Sequence, residues 1–266
     1  MLNIYHFDIK PENILASDND FVLIDNRVYG LNKNQTDVVK RLCDRKFGIG
    51  ADGLILLNEK TSYNFEMVYF NSDGNESSMC GNGGRCLVKF AHHLGLIDTS
   101  CRFWAIDGEH EAHIFKDGQI SLKMKDVDAI EVSNGHFTLN TGSPHYIIFV
   151  KSVKTTDVIA EAKKIRYSER FAQAGVNVNF VEKEGNNNIT VRTYERGVED
   201  ETLSCGTGVV ASSLALASLN GQGLQSVKVQ TPGGDLEVKF EYSGKGFKNV
   251  YLIGPAERVF EGEIEI

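Results

Sequence analysis

Apolar residues come in short blocks along this chain, and their spacing switches between a period of two and one of about 3.6, the signatures of strand and helix. Phe21 to Ile24 is a compact apolar strand, and Asp37 to Phe47 has helical spacing with Val38, Val39 and Leu42 on one side. Beyond Gly48-Ile49-Gly50-Ala51-Asp52-Gly53, the unbroken run Leu54 to Leu57 predicts a buried strand. Phe65 to Phe70 alternates and stops at the turn Asn71-Ser72-Asp73-Gly74, and Arg85 to Leu94 is helical, with Gly95 as its C-cap. From Phe103 to Met124 short strands recur around the turn signals Asp107-Gly108 and Asp117-Gly118, which predicts antiparallel hairpins.

A helix near Thr156 to Ile165 leads into a second set of elements. Val176 to Val181 and Ile189 to Tyr194 read as strands, Val209 to Leu219 as a helix ended by Gly221, and Val227 to Val229, Leu236 to Tyr242 and Val250 to Ile253 as further strands. The order strand-rich, helix, strand-rich is used twice, which predicts an α+β fold of two similar domains. Ala211, Ser212, Ser213, Ala215, Ala217 and Ser218 make the second helix slim, so a helix wrapped by sheet is expected there. The domains are placed at residues 1–128 and 129–253, with the boundary between Asp126 and Ser133 and a C-terminal strand, about 254–266, returning to the first.

Met67 to Gly83 and Val191 to Gly208 follow one plan: a strand, an acidic turn, then Cys80-Gly81-Asn82-Gly83 or Cys205-Gly206-Thr207-Gly208 opening a helix. A thiol pKa of about 8.5 falls to roughly 3.5–7.5 at a helix N-terminus. The N–H groups of Gly81-Asn82 and Gly206-Thr207 also form a site for a carboxylate, which glycine lets approach closely. One thiol in each of two similar halves can meet across a cleft. Inverting a stereocentre next to a carboxylate needs a base on one face and an acid on the other, and thiolate and thiol fit those roles. Their apparent pKa values would belong to the pair. The chain shows no evident pyridoxal-phosphate lysine motif, so no cofactor and no metal are expected.

These motifs resemble the diaminopimelate epimerase family from Asn19 nearly to the C-terminus. The first signature is Asn71-Ser72-Asp73-Gly74 with Met79-Cys80-Gly81-Asn82-Gly83-Gly84-Arg85-Cys86; the second is Glu195-Arg196-Gly197 with Glu201-Thr202-Leu203-Ser204-Cys205-Gly206-Thr207-Gly208. The resemblance implies cofactor-independent interconversion of LL- and meso-diaminopimelate, with Cys80 and Cys205 as the acid/base pair and Gly81-Asn82 and Gly206-Thr207 holding the reacting carboxylate. It implies substrate contacts by Asn19, Asn71, Asn177, Glu195 and Arg196, with His145 and Glu195 adjusting the protonation of the sulfurs. It further implies two domains, each a barrel-like, mainly antiparallel sheet around a central helix, and a homodimer. The chain departs from the family pattern at Ser143 in Gly142-Ser143-Pro144-His145, at Gly53, at Val198-Glu199-Asp200 and over the first eighteen residues.

Composition narrows the partners. With 36 acidic against 28 basic residues, a net charge of −8 argues against nucleic acid and anionic membrane surfaces. No apolar run is long enough to span a bilayer and no apolar leader precedes Asn19, so a cytoplasmic protein is expected. Five cysteines, an odd number, read as reduced thiols. Cys43, Cys86 and Cys101 are expected in the core.

Several motifs are set aside. His6 to Leu15 resembles a kinase catalytic loop, but only five residues precede it and no Asp-Phe-Gly follows. Gly48 to Gly53 has dinucleotide-fingerprint spacing in reversed context, helix before and strand after, and reads instead as a turn rich in positive φ angles. Cys80, Cys86, His92 and His93 lack zinc-site spacing. Two alternatives share the cysteine frame: a racemase of histidine or a proline derivative, and a thiol switch without turnover.

Overall fold

A computed structural model describes residues 2–8, 19–32, 34–77, 79–221 and 225–265. The chain divides into two units, residues 1–122 with 254–266, and residues 123–253.

The first unit contains β1 (Leu2–Asp8), β2 (Asp20–Asp25), α1 (Asn26–Tyr29), α2 (Thr36–Cys43), β3 (Gly53–Asn58), β4 (Phe65–Asn71), β5 (Glu76–Ser77), α3 (Gly81–His93), β6 (Ser100–Ala105), β7 (Gly108–Ile114) and β8 (Ile120–Lys123). The second contains β9 (Glu131–Ser133), β10 (His136–Asn140), β11 (Pro144–Val150), α4 (Val158–Arg166), β12 (Asn177–Lys183), β13 (Asn188–Glu195), β14 (Asp200–Thr202), α5 (Gly206–Asn220), β15 (Ser226–Thr231), β16 (Gly234–Tyr242) and β17 (Phe247–Gly254). The last strand, β18 (Glu257–Ile264), pairs antiparallel with β1.

Strand pairing repeats element for element. The first unit runs β18-β1-β2-β3-β4-β6-β7-β8, parallel only at β2/β3 and β4/β6. The second runs β9-β10-β11-β12-β13-β15-β16-β17, parallel only at β11/β12 and β13/β15. Each parallel pair requires a crossover, and the helices supply it. In the first unit α1 and α2 join β2 to β3 and α3 joins β4 to β6; in the second α4 and α5 take those places.

The sheets are therefore covered on both faces, which is why β2 and β3 read as unbroken apolar runs. Val22, Ile24, Leu54 and Leu56 pack with Val39 and Leu42 of α2. Phe21, Ile55 and Met67 lie against α3, where a Cβ on Gly83 would come within 3.0–3.6 Å of all three. In the second unit Val178 and Phe180 pack with Val158 and Ala162 of α4. Alternation then turns Asn177 and Asn179 to the opposite face, which α5 covers. Helix α5 is buried on nearly every side from Gly206 to Ala217, as its small residues predict.

Some expectations change in detail. Helix α2 stops at Cys43 instead of reaching Phe47, because the Asp44 carboxylate accepts from Lys46 N at 2.7 Å and Phe47 N at 2.9 Å, closing an Asx turn. Of the glycines in Gly48 to Gly53 only Gly50 has positive φ, at 84°. Gly48 is needed for close approach: a Cβ there would sit 1.9 Å from Arg41 O. Strands β9 to β11 were not foreseen, although Asn134-Gly135, both at positive φ, is a strong hairpin signal. Of the kinase-like stretch, residues 6–8 continue β1 and the rest lies outside the described residues. Among the described residues no helix is long and apolar enough to cross a membrane.

Candidate active site

In the first unit the chain reverses after β4. Asn71, at the exposed end of the strand, donates its N–H to Asn75 O at 3.0 Å and accepts from Gly74 N at 2.8 Å. Asp73 accepts from Asn75 N at 2.9 Å, and this backbone bond holds its carboxyl below the usual range. Cys80 then takes the N-cap position of α3 with extended backbone, φ −94° and ψ 131°, and its carbonyl accepts the first helical bond from Gly84 at 2.7 Å. The thiol is half-buried.

A relay of polar groups fixes the first turn of α3. Asn82 Nδ2 donates to Asn19 Oδ1 at 2.8 Å, Asn19 Nδ2 donates to Asp52 Oδ2 at 2.9 Å, and Arg45 bonds Asp52 Oδ1 at 2.8 Å. From the interior, Arg85 donates to Asn82 Oδ1 at 3.1 Å, Gly81 O at 3.4 Å and Pro255 O at 3.3 Å. Arg85 is wholly buried and Asn82 nearly so. Asn19, Gly81 and Asn82 are thus brought together, supported by Asp52 and Arg85, to which sequence reasoning assigned no role.

In the second unit Cys205 is the N-cap of α5, again extended at φ −120° and ψ 106°, and accepts from Val209 N at 2.8 Å. Its sulfur lies 3.5 Å from Thr207 Oγ1. Buried His145, on β11, places Nε2 2.9 Å from the same hydroxyl. Thr207 O accepts from Thr141 Oγ1 at 2.8 Å. Asn177 is clamped: its Oδ1 accepts from Arg196 N at 2.8 Å and its Nδ2 donates to Ser143 Oγ at 3.0 Å. Ser143 thus orients the Asn177 amide. Arg196 Nη1 donates to Ala174 O at 2.9 Å. Glu195 accepts from Thr202 Oγ1 at 3.1 Å, tying β13 to β14, and Arg192 grips both Glu201 oxygens at 2.6 Å across the same turn.

Asn179 was missed. It is fully buried and its Nδ2 lies 3.0 Å from His145 Nδ1. The signal was present in Val176-Asn177-Val178-Asn179, where alternation puts both amides on one face. Gly53 proves to be a packing residue, since a Cβ there would lie 2.5 Å from the Tyr69 ring and 2.6 Å from Phe70 O. Cys43, Cys86 and Cys101 are core residues, and burial pushes the Cys43 and Cys101 thiols up to about 12. Among the described residues no three His, Cys, Asp or Glu side chains gather as a metal would require.

Burial, reinforced by the nearby Arg196 charge, lowers the His145 pKa to about 3. The unfolded chain therefore binds a proton that the folded chain refuses, and stability conferred by neutral His145 is lost as pH falls from about 6.5 toward that value. Between pH 7 and pH 5 the native protein should lose about 2 kcal/mol more than a His145→Gln variant. Urea unfolding at both pH values checks this, and equal losses would contradict it.

The sequence model of the family described as Diaminopimelate epimerase matches residues 14–130 and 137–259. The chain belongs to the diaminopimelate epimerase family. A diaminopimelate epimerase of Flavobacterium psychrophilum is 50% identical over 249 residues, covering 94% of this chain and 97% of that one. One from Chlorobaculum tepidum is 40% identical over 260 residues, covering 94% and 99%. Among solved structures, a phenazine biosynthesis protein of the PhzF family from Bacillus anthracis shares the fold at TM-score 0.77 and 16% identity, over 100% of this chain and 99% of that one. Both Cys-Gly-x-Gly segments, Cys80 to Gly83 and Cys205 to Gly208, fall within the matched ranges.

Proposed function

We propose that this chain is an isomerase that interconverts LL- and meso-2,6-diaminopimelate in lysine and peptidoglycan-precursor biosynthesis, without a cofactor, by two-thiol acid/base chemistry. One observation carries the chemistry: each unit ends the same strand and acidic turn on a cysteine at the N-cap of its crossover helix. Family membership and 50% identity to a relative of that name supply the substrate.

In this reading one cysteine, as thiolate, removes the α-proton while the other, as thiol, delivers a proton to the opposite face. The first-turn N–H groups of α3 and α5, which have no acceptor within their own helices, stabilise the charge that moves onto the carboxylate as the carbanion forms. Gly81, Asn82, Gly206 and Thr207 contribute these groups. Asn19, Asn71, Asn177, Glu195 and Arg196 recognise the amino and carboxylate groups, and His145 and Glu195 set the protonation of the sulfurs. The active form is a cytoplasmic homodimer.

The test is α-proton exchange of LL-diaminopimelate in deuterated water, followed by NMR with the purified chain. Deuterium entry together with appearance of the meso isomer is expected. Enzyme that exchanges no α-proton would leave the thiol switch as the surviving reading, and exchange with histidine or proline derivatives but not diaminopimelate would reassign the substrate.

A further inference from the structure

Asn179 lies one layer behind the groups that would meet substrate, and its surroundings fix which way its carboxamide points. Oδ1 accepts from Thr193 Oγ1 at 2.9 Å, and Nδ2 faces the Tyr146 carbonyl at 3.4 Å, a group that can only accept. Thr193 and Asn179 are both buried. The amide therefore offers an N–H, not an oxygen, to His145 Nδ1 at 3.0 Å.

A ring nitrogen that accepts cannot also carry the proton, so the hydrogen of neutral His145 is on Nε2. There the short contact is Thr207 Oγ1 at 2.9 Å. Asn177 Nδ2 is farther, at 3.4 Å, and is engaged by Ser143 Oγ at 3.0 Å. Because the His145 N–H points at its oxygen, the Thr207 hydroxyl turns its own hydrogen away from the ring, free to be donated to a Cys205 thiolate whose Sγ lies 3.5 Å away.

We propose that Asn179 is a positioning residue that selects the Nε2–H form of His145 and, through the Thr207 hydroxyl, points a hydrogen bond at the Cys205 sulfur. This rests on the two-thiol reading above and names a control on one of its sulfurs. A donor aimed at sulfur favours the thiolate over the thiol, which assists Cys205 whenever it must hold or regain negative charge. The arrangement also accounts for Gly208. A Cβ at that position would sit 2.3 Å from Asn179 Oδ1, so the first turn of α5 closes over the carboxamide only because the residue is glycine.

Asn179→Asp has nearly the same shape but presents only acceptors. It should draw the imidazole hydrogen to Nδ1, leave Nε2 as an acceptor, and turn the Thr207 hydroxyl away from sulfur. The expected result is a fall in kcat of about 100-fold with KM within about twofold, since the substrate-facing groups stay in place. The direct readout is nitrogen-15 NMR of His145 in the wild-type chain, with Nδ1 resonating as the unprotonated nitrogen and Nε2 as the protonated one. The assignment to His145 uses the loss of its signals in His145→Gln. Wild-type enzyme with Nδ1 protonated would overturn the proposal whatever the variant does. So would a folded Asn179→Asp with wild-type kcat. If the wild-type chain exchanges no α-proton at all, the epimerase reading fails, while the NMR result still decides the tautomer.

Discussion

Alanine at either Cys80 or Cys205 is expected to end steady-state epimerisation, with kcat lowered by about a thousandfold or more, the scale of a lost proton-transfer group. The two variants should fail alike in turnover and differently in exchange. A single remaining thiol can remove a proton from one face of the α-carbon and return it to the same face. It cannot invert. Each variant should therefore wash deuterium into one stereoisomer with retention and leave the other untouched, and the two variants should select opposite isomers. NMR of LL- and meso-diaminopimelate in deuterated water separates these outcomes. Full turnover by either variant would remove the pairing of the thiols from consideration. Neither change should unfold the chain, because Cys80 is only half-buried and Cys205, though buried, loses one sulfur atom at a helix end.

What was legible in the sequence was whatever depended on local spacing. Strands β2, β3, β4, β12 and β13 declared themselves because their apolar faces are continuous or strictly alternating, and helices α3 and α5 because Cys-Gly-x-Gly and a terminal glycine bracket them. The position of Cys80 and Cys205 at helix N-caps was readable for the same reason. The pairing order was not, since it depends on contacts between segments far apart, such as β18 with β1 and β13 with β15. The residues behind the site were hidden for a related reason. Asn179 and Arg85 are polar residues in apolar company, and nothing local says which buried polar group will be bonded to which. Asn179 meets His145 only because β11 and β12 run parallel with His145 opposite Asn177. Ser143 likewise reads as a lost contact in one dimension and as the partner of Asn177 in three.

Arg85→Met is expected to destabilise the protein by about 3 kcal/mol, because it strands buried acceptors that had a charged donor. The guanidinium binds Asn82 Oδ1, Gly81 O and Pro255 O, joining the first turn of α3 to the segment that carries the chain into β18. Methionine fills similar volume but offers no hydrogen to these acceptors, at a site where Arg85 is wholly buried. Lysine keeps the charge yet concentrates its donors on one atom, so it cannot span acceptors arranged for a planar fork; Arg85→Lys should fall between the two. Urea midpoints at unchanged m would report the stability loss. A purely structural residue would lower the midpoint and leave the remaining folded enzyme normal. Because Asn82 is held between Arg85 and Asn19, the folded fraction of Arg85→Met should instead bind substrate poorly, with KM raised about tenfold and kcat changed far less, the pattern of lost ground-state binding. Wild-type KM in the folded variant would show that Asn82 keeps its place without the guanidinium.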